Sequence, residues 1–176
     1  SWSTVPAGYL SSSVSDMAKY LHEKIMNIKI HSIKETKELA QNLASLIQGK
    51  NIVICLSGDL GAGKTTWTQA FGKALGVKKT INSPTFTIMK NYVQGDDKPF
   101  FHIDAYRLEG LDQDLGFEEC FDEGICVIEW SHFIENQIPS DHIEMNIFAR
   151  DGEERTIELL GTGPVSQEIV KEYENA

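Results

Sequence analysis

Apolar positions along the chain change period several times, and each change predicts an element. Ile28 and Ile30 alternate with polar partners, the period of a short strand. Ser32 followed by Glu35 has the S-x-x-E form of a helix capping box. Leu39, Leu43, Leu46 and Ile47, with Ala40 and Ala44, then recur at helical spacing to about Gln48, and Gly49 ends the run. Residues 52–56 are a continuous β-branched and apolar run, the pattern of a strand covered on both faces. A helix over 64–75 follows, closed by Gly76. Strands are predicted at 86–92, 100–103 and 125–128. Ile143, Met145 and Ile147 alternate, as do Ile157 and Leu159, and Asp151-Gly152 between them is a hairpin signal. Residues 165–173 read as a terminal helix. Strands and helices alternate early and strands cluster late, which predicts an α/β fold whose mostly parallel sheet carries antiparallel additions.

Residues 1–25 break this regularity. The segment to Ser15 is rich in Ser and contains Pro6 and Gly8, the composition of a loop, and Val14, Met17, Ala18 and Leu21 then fall at helical spacing. The string from Pro6 to Tyr20 resembles a segment of serine β-lactamase-like proteins but has no S-x-x-K nucleophile motif, so it brings no chemistry. Residues 1–25 are read as a leader or fused remnant, and Met26 opens a single domain over 26–176.

Composition narrows the class. The 176 residues are 41% hydrophobic and 24% charged, an ordinary globular balance rather than a disordered one. Sixteen basic against 26 acidic side chains leave a formal charge of −10, which argues against a self-sufficient nucleic-acid binder. No apolar stretch approaches the roughly 20 residues of a membrane span, and no basic region followed by an apolar block predicts a secretory signal. Three cysteines without a C-x-x-C pair fit a reducing cytoplasm.

The chemistry concentrates in four places. Residues 58–65, Gly-Asp-Leu-Gly-Ala-Gly-Lys-Thr, match G-x-x-x-x-G-K-[ST] between a buried strand and a helix. The glycines let successive N–H groups point at phosphate oxygens, and the helix N-terminus adds partial positive charge. Lys64 would neutralise β- and γ-phosphate charge, Thr65 would reach Mg²⁺ and Thr66 the α-phosphate; the plain alternative is a Gly-rich turn. Two apolar runs end in acids, Asp104 after residues 100–103 and Glu129 after 125–128. On strands parallel to 52–56 both would reach the rim that carries the loop, as oxygen ligands for Mg²⁺; alone, each could be a solvated strand end. The Ser83-Pro84-Thr85 turn offers hydroxyls to a metal-bound water or a γ-phosphate, or is simply a loop entering a strand. His102 shares a strand face with Asp104 and fits a core or supporting role better than a metal ligand. Tyr106 and Arg107 fit packing and an ion pair as well as a partner-facing role.

The series G-D-L-G-A-G-K-T-T, S-P-T-F-T, H-I-D-A-Y-R-L and V-I-E-W closely resembles the TsaE family of bacterial P-loop ATPases, over about residues 28–160 and in family order. The resemblance implies a three-layer P-loop domain and an ATPase in the synthesis of threonylcarbamoyladenosine at position 37 of tRNA, using ATP and Mg²⁺ and working with TsaB and TsaD. It places Gly61, Ala62, Gly63, Lys64, Thr65 and Thr66 in the phosphate loop and Thr85 as a switch-like threonine. Asp104 becomes the acid of the H-x-D motif, Glu129 the Mg²⁺-side glutamate and Trp130 its neighbour at the nucleotide edge. Thr36 matches an early nucleotide-side residue, and Arg155 falls near the nucleotide.

A GTPase is excluded by the lack of N-K-x-D and D-x-x-G motifs. A small-molecule kinase would bring an Arg-rich lid, whereas only Arg107, Arg150 and Arg155 occur. A nucleotide-sensing module without turnover is the third reading. The scarcity of arginines and the −10 charge together predict slow hydrolysis that protein partners accelerate, with no direct tRNA contact.

Overall fold

The computed structural model describes residues 24–84, 87–111 and 115–176. Apart from Lys24 and Ile25 the leader lies outside the described residues, as does Thr85. In chain order the strands are β1 (Met26–Ile30), β2 (Val53–Gly58), β3 (Met89–Val93), β4 (Pro99–Asp104), β5 (Ile125–Glu129), β6 (Ile143–Ala149) and β7 (Arg155–Gly161). The α-helices are α1 (Ile33–Ile47), α2 (Lys64–Ala74), α3 (Phe117–Glu123) and α4 (Pro164–Asn175), with 3₁₀ turns at Tyr106–Leu108 and Ser131–Gln137.

Among the described residues the strands form one sheet in the order β1-β7-β6-β2-β5-β4-β3. β6, β2, β5 and β4 run parallel, while β3, β7 and β1 pair antiparallel at the two edges. The continuous apolar run of β2 is explained by its central place. Ile54 and Leu56 pack on one face with Leu39 and Leu43 of α1, Trp67 and Phe71 of α2 and Ile169 of α4. Val53 and Cys55 pack on the other with Phe117 and Phe121 of α3 and Ile134. The result is the expected three-layer α/β domain. Trp67 and Phe71 are fully buried and stacked at 4.6 Å, each burial of this size contributing about 2–3 kcal/mol.

Local chemistry sets the ends of the helices. Ser32 Oγ accepts from the Glu35 N–H at 3.2 Å, and the Glu35 carboxylate reaches back to the His31 N–H, one residue before the cap. Gly49 and Gly76 follow α1 and α2 with φ of 85° and 87°, the left-handed conformation that ends a helix. Two regions differ from the sequence reading. β3 begins at Met89, not at 86, because Ile88 takes a φ of 62° that no strand continues through. The seven-residue α3, opened by Gly116 and closed by Gly124, and the 3₁₀ turn after β5 were not predicted, being too short to show a period.

The start of α4 makes a testable case. Its N-cap, Gly163, has no side chain, and the Asp141 carboxylate takes the capping role instead, accepting from Val165 N–H at 2.8 Å and from Ser166 N–H at 2.9 Å. A Cβ on Gly163 would lie 2.6 Å from Asp141 Cγ, so the glycine makes room for that carboxylate. Burial pushes the Asp141 carboxyl up, but the hydrogen bonds from Ser166 and Val165 outweigh it and hold the value below the ordinary one. Asp141→Ala is expected to cost about 1–2 kcal/mol in urea unfolding at neutral pH. A depressed folded value means that the contribution is complete above the ordinary carboxylate range and is lost as pH falls through the folded value. The wild-type advantage over Asp141→Ala should therefore shrink toward acid; a gap constant from neutral pH to strong acid would remove the ionised cap from the account.

Candidate functional site

The loop from β2 to α2 is held open toward solvent by two left-handed glycines, Gly61 at φ 81° and Gly63 at φ 109°. Inside it, Ala62 N–H donates to Asp59 O at 3.0 Å. α2 then starts at Lys64 with no side-chain cap, so its first-turn N–H groups lie at the positive end of the helix beside the loop. Arg155, at the start of β7, braces this loop from outside. Its Nε donates to Ala62 O at 2.7 Å and its second terminal nitrogen to Gly61 O at 3.4 Å, while the first donates to Gly152 O and Glu154 O, both at 2.7 Å. With those carbonyls turned toward the guanidinium, the loop is tied to the β6–β7 hairpin.

The two strand-end acids lie on the same rim. Asp104 and Glu129 are register partners at the C-terminal ends of parallel β4 and β5. Lys64 Nζ lies 3.5 Å from Glu129 Oε1, and His102 Nε2 lies 2.9 Å from Glu129 Oε2. His102, on β4, is almost wholly buried. Both carboxylate oxygens of Glu129 are thus met by nitrogen, and His102 is the supporting residue its strand position suggested. Burial alone would push the Glu129 carboxyl up. The hydrogen bond and charge of His102, then those of Lys64, overcome it and hold the carboxyl below its ordinary value. Asp104 goes the other way: burial raises its carboxyl and Glu129 adds to the rise, against the Tyr106 N–H bound at 3.0 Å and the more distant His102 and Lys64. Two neighbouring acids with displaced affinities in opposite directions are a common mark of a site that handles charge.

Trp130 follows Glu129 directly in the left-handed region, φ 58° and ψ 38°. That conformation costs a non-glycine residue about 1–2 kcal/mol, and it turns the indole outward beside the rim. The ring meets Tyr106 edge-on at 5.0 Å, stacks on Phe133 at 5.8 Å and lies 6.0 Å from Lys64 Nζ. A cavity of about 460 Å³, lined by Ile88, Asp104, Tyr106, Arg107 and Trp130, opens between the acid and this aromatic group.

Lys64, Asp104, Glu129 and Trp130 are therefore neighbours, beside the loop formed by Gly61, Ala62 and Gly63. Thr65 is exposed and Thr66 half-buried in the first turn of α2. Thr36 is buried in the first turn of α1, where its hydroxyl faces Ser32 O at 3.5 Å, a local contact. Sequence reasoning placed Arg155 only loosely, and it missed the stacking of Phe133 on Trp130. Arg155 could have been found from the hairpin register, but Phe133 lies in a 3₁₀ turn that carries no periodic signal.

Comparison with known proteins identifies the family. The family model described as threonylcarbamoyl adenosine biosynthesis protein TsaE matches residues 30–157. The tRNA threonylcarbamoyladenosine biosynthesis protein TsaE of Bacillus subtilis is 42% identical over 131 residues, covering 74% of this chain and 82% of the relative. That of Streptomyces coelicolor is 37% identical over 135 residues, covering 72% and 90%. The crystal structure of Bacillus subtilis YdiB superposes with a TM-score of 0.73 at 32% identity, over 87% of this chain and 96% of that one. With the family model spanning most of the chain and relatives this similar over most of their own length, the chain belongs to the TsaE family.

Proposed function

We propose that the chain is a Mg²⁺-dependent ATPase that serves the threonylcarbamoyl modification of tRNA, acting in the cytoplasm with TsaB and TsaD. Family membership supports the pathway. The observation that carries the ATPase reading is the Lys64–Glu129 pair at the mouth of the phosphate loop, with Asp104 one strand away. Thr65, Asp104 and Glu129 offer hydroxyl and carboxylate oxygens, the donor set that hard divalent cations take, and Glu129 is held ionised by its neighbours. These residues would hold the Mg²⁺ of a bound nucleotide; that ion supplies charge neutralisation at the phosphates. Lys64 offers its ammonium to the β- and γ-phosphates while Glu129 fixes its position. The α2 N-terminus and the loop N–H groups bind the remaining phosphate oxygens. Thr85, outside the described residues, is assigned as the switch-like threonine that offers its hydroxyl to a metal-bound water or the γ-phosphate. Trp130 borders the nucleotide, and Thr36 is assigned to the nucleotide side through the first turn of α1.

Cationic help is scarce at this site. Arg155 is occupied by loop and hairpin carbonyls, and Arg107 is exposed beside the cavity. A site short of positive charge hydrolyses slowly alone and gains when a partner supplies it, a supplement worth up to about 10³–10⁵ in other P-loop systems. The test measures ATP turnover for the chain alone, with a TsaB–TsaD pair, and with tRNA alone. Stimulation of about tenfold or more by the protein pair is expected, and none by tRNA, which the −10 charge repels at long range. Full-speed turnover by the isolated chain, or stimulation by tRNA without the pair, would overturn the reading.

A further inference from the structure

Cys55 on β2 and Glu144 on β6 are register partners in the parallel pair at the centre of the sheet. They face away from the layer that carries Lys64, since Ile54, Ile143 and Met145 occupy that side. His142, two residues before Glu144, points to the same face. All three side chains are almost wholly buried, and one ligand atom from each lies within 4.8 Å of the other two. Cys55 also packs against Phe117 and Phe121, but the phosphate chemistry uses none of the three.

The hydrogen bonding of His142 says what the group lacks. Its Nδ1 lies 2.6 Å from the carbonyl of Pro139, which can only accept, so Nδ1 carries a proton and donates it. Its main chain is fixed too, with His142 N–H donating to Thr162 Oγ1 at 2.8 Å and Thr162 N–H to His142 O at 3.0 Å. In a neutral imidazole that tautomer leaves a lone pair on Nε2. Yet Nε2 faces Glu144 Oε1 at 2.7 Å, so two lone pairs meet inside the protein unless something positive sits between them. One proton would do, and so would a cation. A histidine whose far N–H is held by a backbone carbonyl is the arrangement that orients an imidazole toward a metal, and here the thiol of Cys55 completes the near side.

We propose that Cys55, His142 and Glu144 form a buried site for a thiophilic divalent cation, zinc above all. The ligand set decides the metal: thiolate and imidazole favour zinc over Mg²⁺ or Ca²⁺, which prefer oxygen. Charge closes as well. On binding, the Cys55 thiol gives its proton to solvent, and thiolate, carboxylate and neutral imidazole then set two negative charges against the two positive charges of the ion. Three protein ligands leave one tetrahedral position for water or another small donor. Being buried, the site loads as the chain folds, so zinc here is linked to stability rather than to ATP turnover.

The test is the metal content of the full chain expressed with supplementary zinc, passed over a sizing column and analysed by mass spectrometry. Close to one zinc per chain is expected, falling at least tenfold in Cys55→Val and staying in the Cys120→Ser, Cys126→Ala double variant. Protein expressed with Co²⁺ should show a thiolate-to-cobalt charge-transfer band in the near ultraviolet, kept in the double variant. That band decides the matter even if Cys55→Val does not fold. It also separates this site from the phosphate rim, where cobalt would meet only oxygen. Wild-type protein with neither zinc nor the cobalt band would overturn the proposal and leave a proton between His142 and Glu144. Zinc content unchanged in a folded Cys55→Val variant would overturn it equally.

Discussion

ATP binding and ATP turnover are both expected to fall by about 10²–10³-fold when Lys64 is replaced by alanine. The size follows from breaking a charge pair in a partly dry place, which costs about 3–5 kcal/mol when one partner is left behind. The Lys64 side chain is only about one-sixth exposed, and it sits 3.5 Å from Glu129. Removing the ammonium leaves the phosphate charge uncompensated and also deprives Glu129 of one of its two nitrogen partners. The Glu129 carboxyl should then titrate higher, since Lys64 is part of what holds it down. The fold itself should survive, because the main layer of the core under α2 rests on Trp67 and Phe71 rather than on Lys64. Equilibrium binding of a fluorescent ATP analogue, with steady-state phosphate release and a thermal unfolding scan beside it, separates these effects. Wild-type affinity in a folded Lys64→Ala protein would remove Lys64 from the phosphate site.

How much of this was legible in the sequence depended on whether a residue's role is local. The turn from strand to helix over residues 58–65 could be read directly, because eight adjacent residues and the two flanking elements state it. Asp104 and Glu129 could be read because each ends an apolar run, and a run's end on a parallel strand fixes which rim it reaches. The two edges were harder. β3 was placed three residues early because nothing in the letters forces Ile88 into φ 62°; that conformation goes with the bond from Asp104 N–H to Ile88 O at 2.7 Å, a contact across strands. α3 spans seven residues between two glycines, two turns, where helical spacing cannot be told from chance. The group of Cys55, His142 and Glu144 was invisible for a related reason. Cys55 and Glu144 lie far apart in the chain, and only the β2–β6 register brings them together. Arg155 stands between these cases: its position after a hairpin signal was readable, but its bonds to Gly61 O and Ala62 O depend on how β7 passes the loop.

Replacing Glu129 with glutamine is expected to lower turnover by about 10²–10³-fold, the range for losing one preorganised electrostatic group, while ATP affinity changes by less than about tenfold. The reason lies in what surrounds the carboxylate. Oε2 is met by His102 Nε2 at 2.9 Å and Oε1 by Lys64 Nζ at 3.5 Å, so both oxygens are used as acceptors from opposite sides. A carboxamide of the same shape has one oxygen and one NH₂. If its oxygen faces His102, its NH₂ points at the Lys64 ammonium; if it faces Lys64, the NH₂ meets His102 Nε2, which can accept only once the ring proton moves to Nδ1. Either way one N–H is left without an acceptor, that of Lys64 or that of His102 Nδ1, at a cost of about 1–3 kcal/mol. The change of tautomer is not free for His102, because its Nδ1 is buried without a partner to accept the moved proton. Lys64 is the freer of the two, so it should turn toward the phosphates. That keeps nucleotide binding strong while the rim loses the negative charge that would help hold Mg²⁺ and order the attacking water. Single-turnover hydrolysis at saturating ATP, set beside equilibrium binding, reads the two quantities separately. Turnover equal to wild type would exclude Glu129 from the chemistry, and a parallel collapse of binding would make it a structural support for the loop instead.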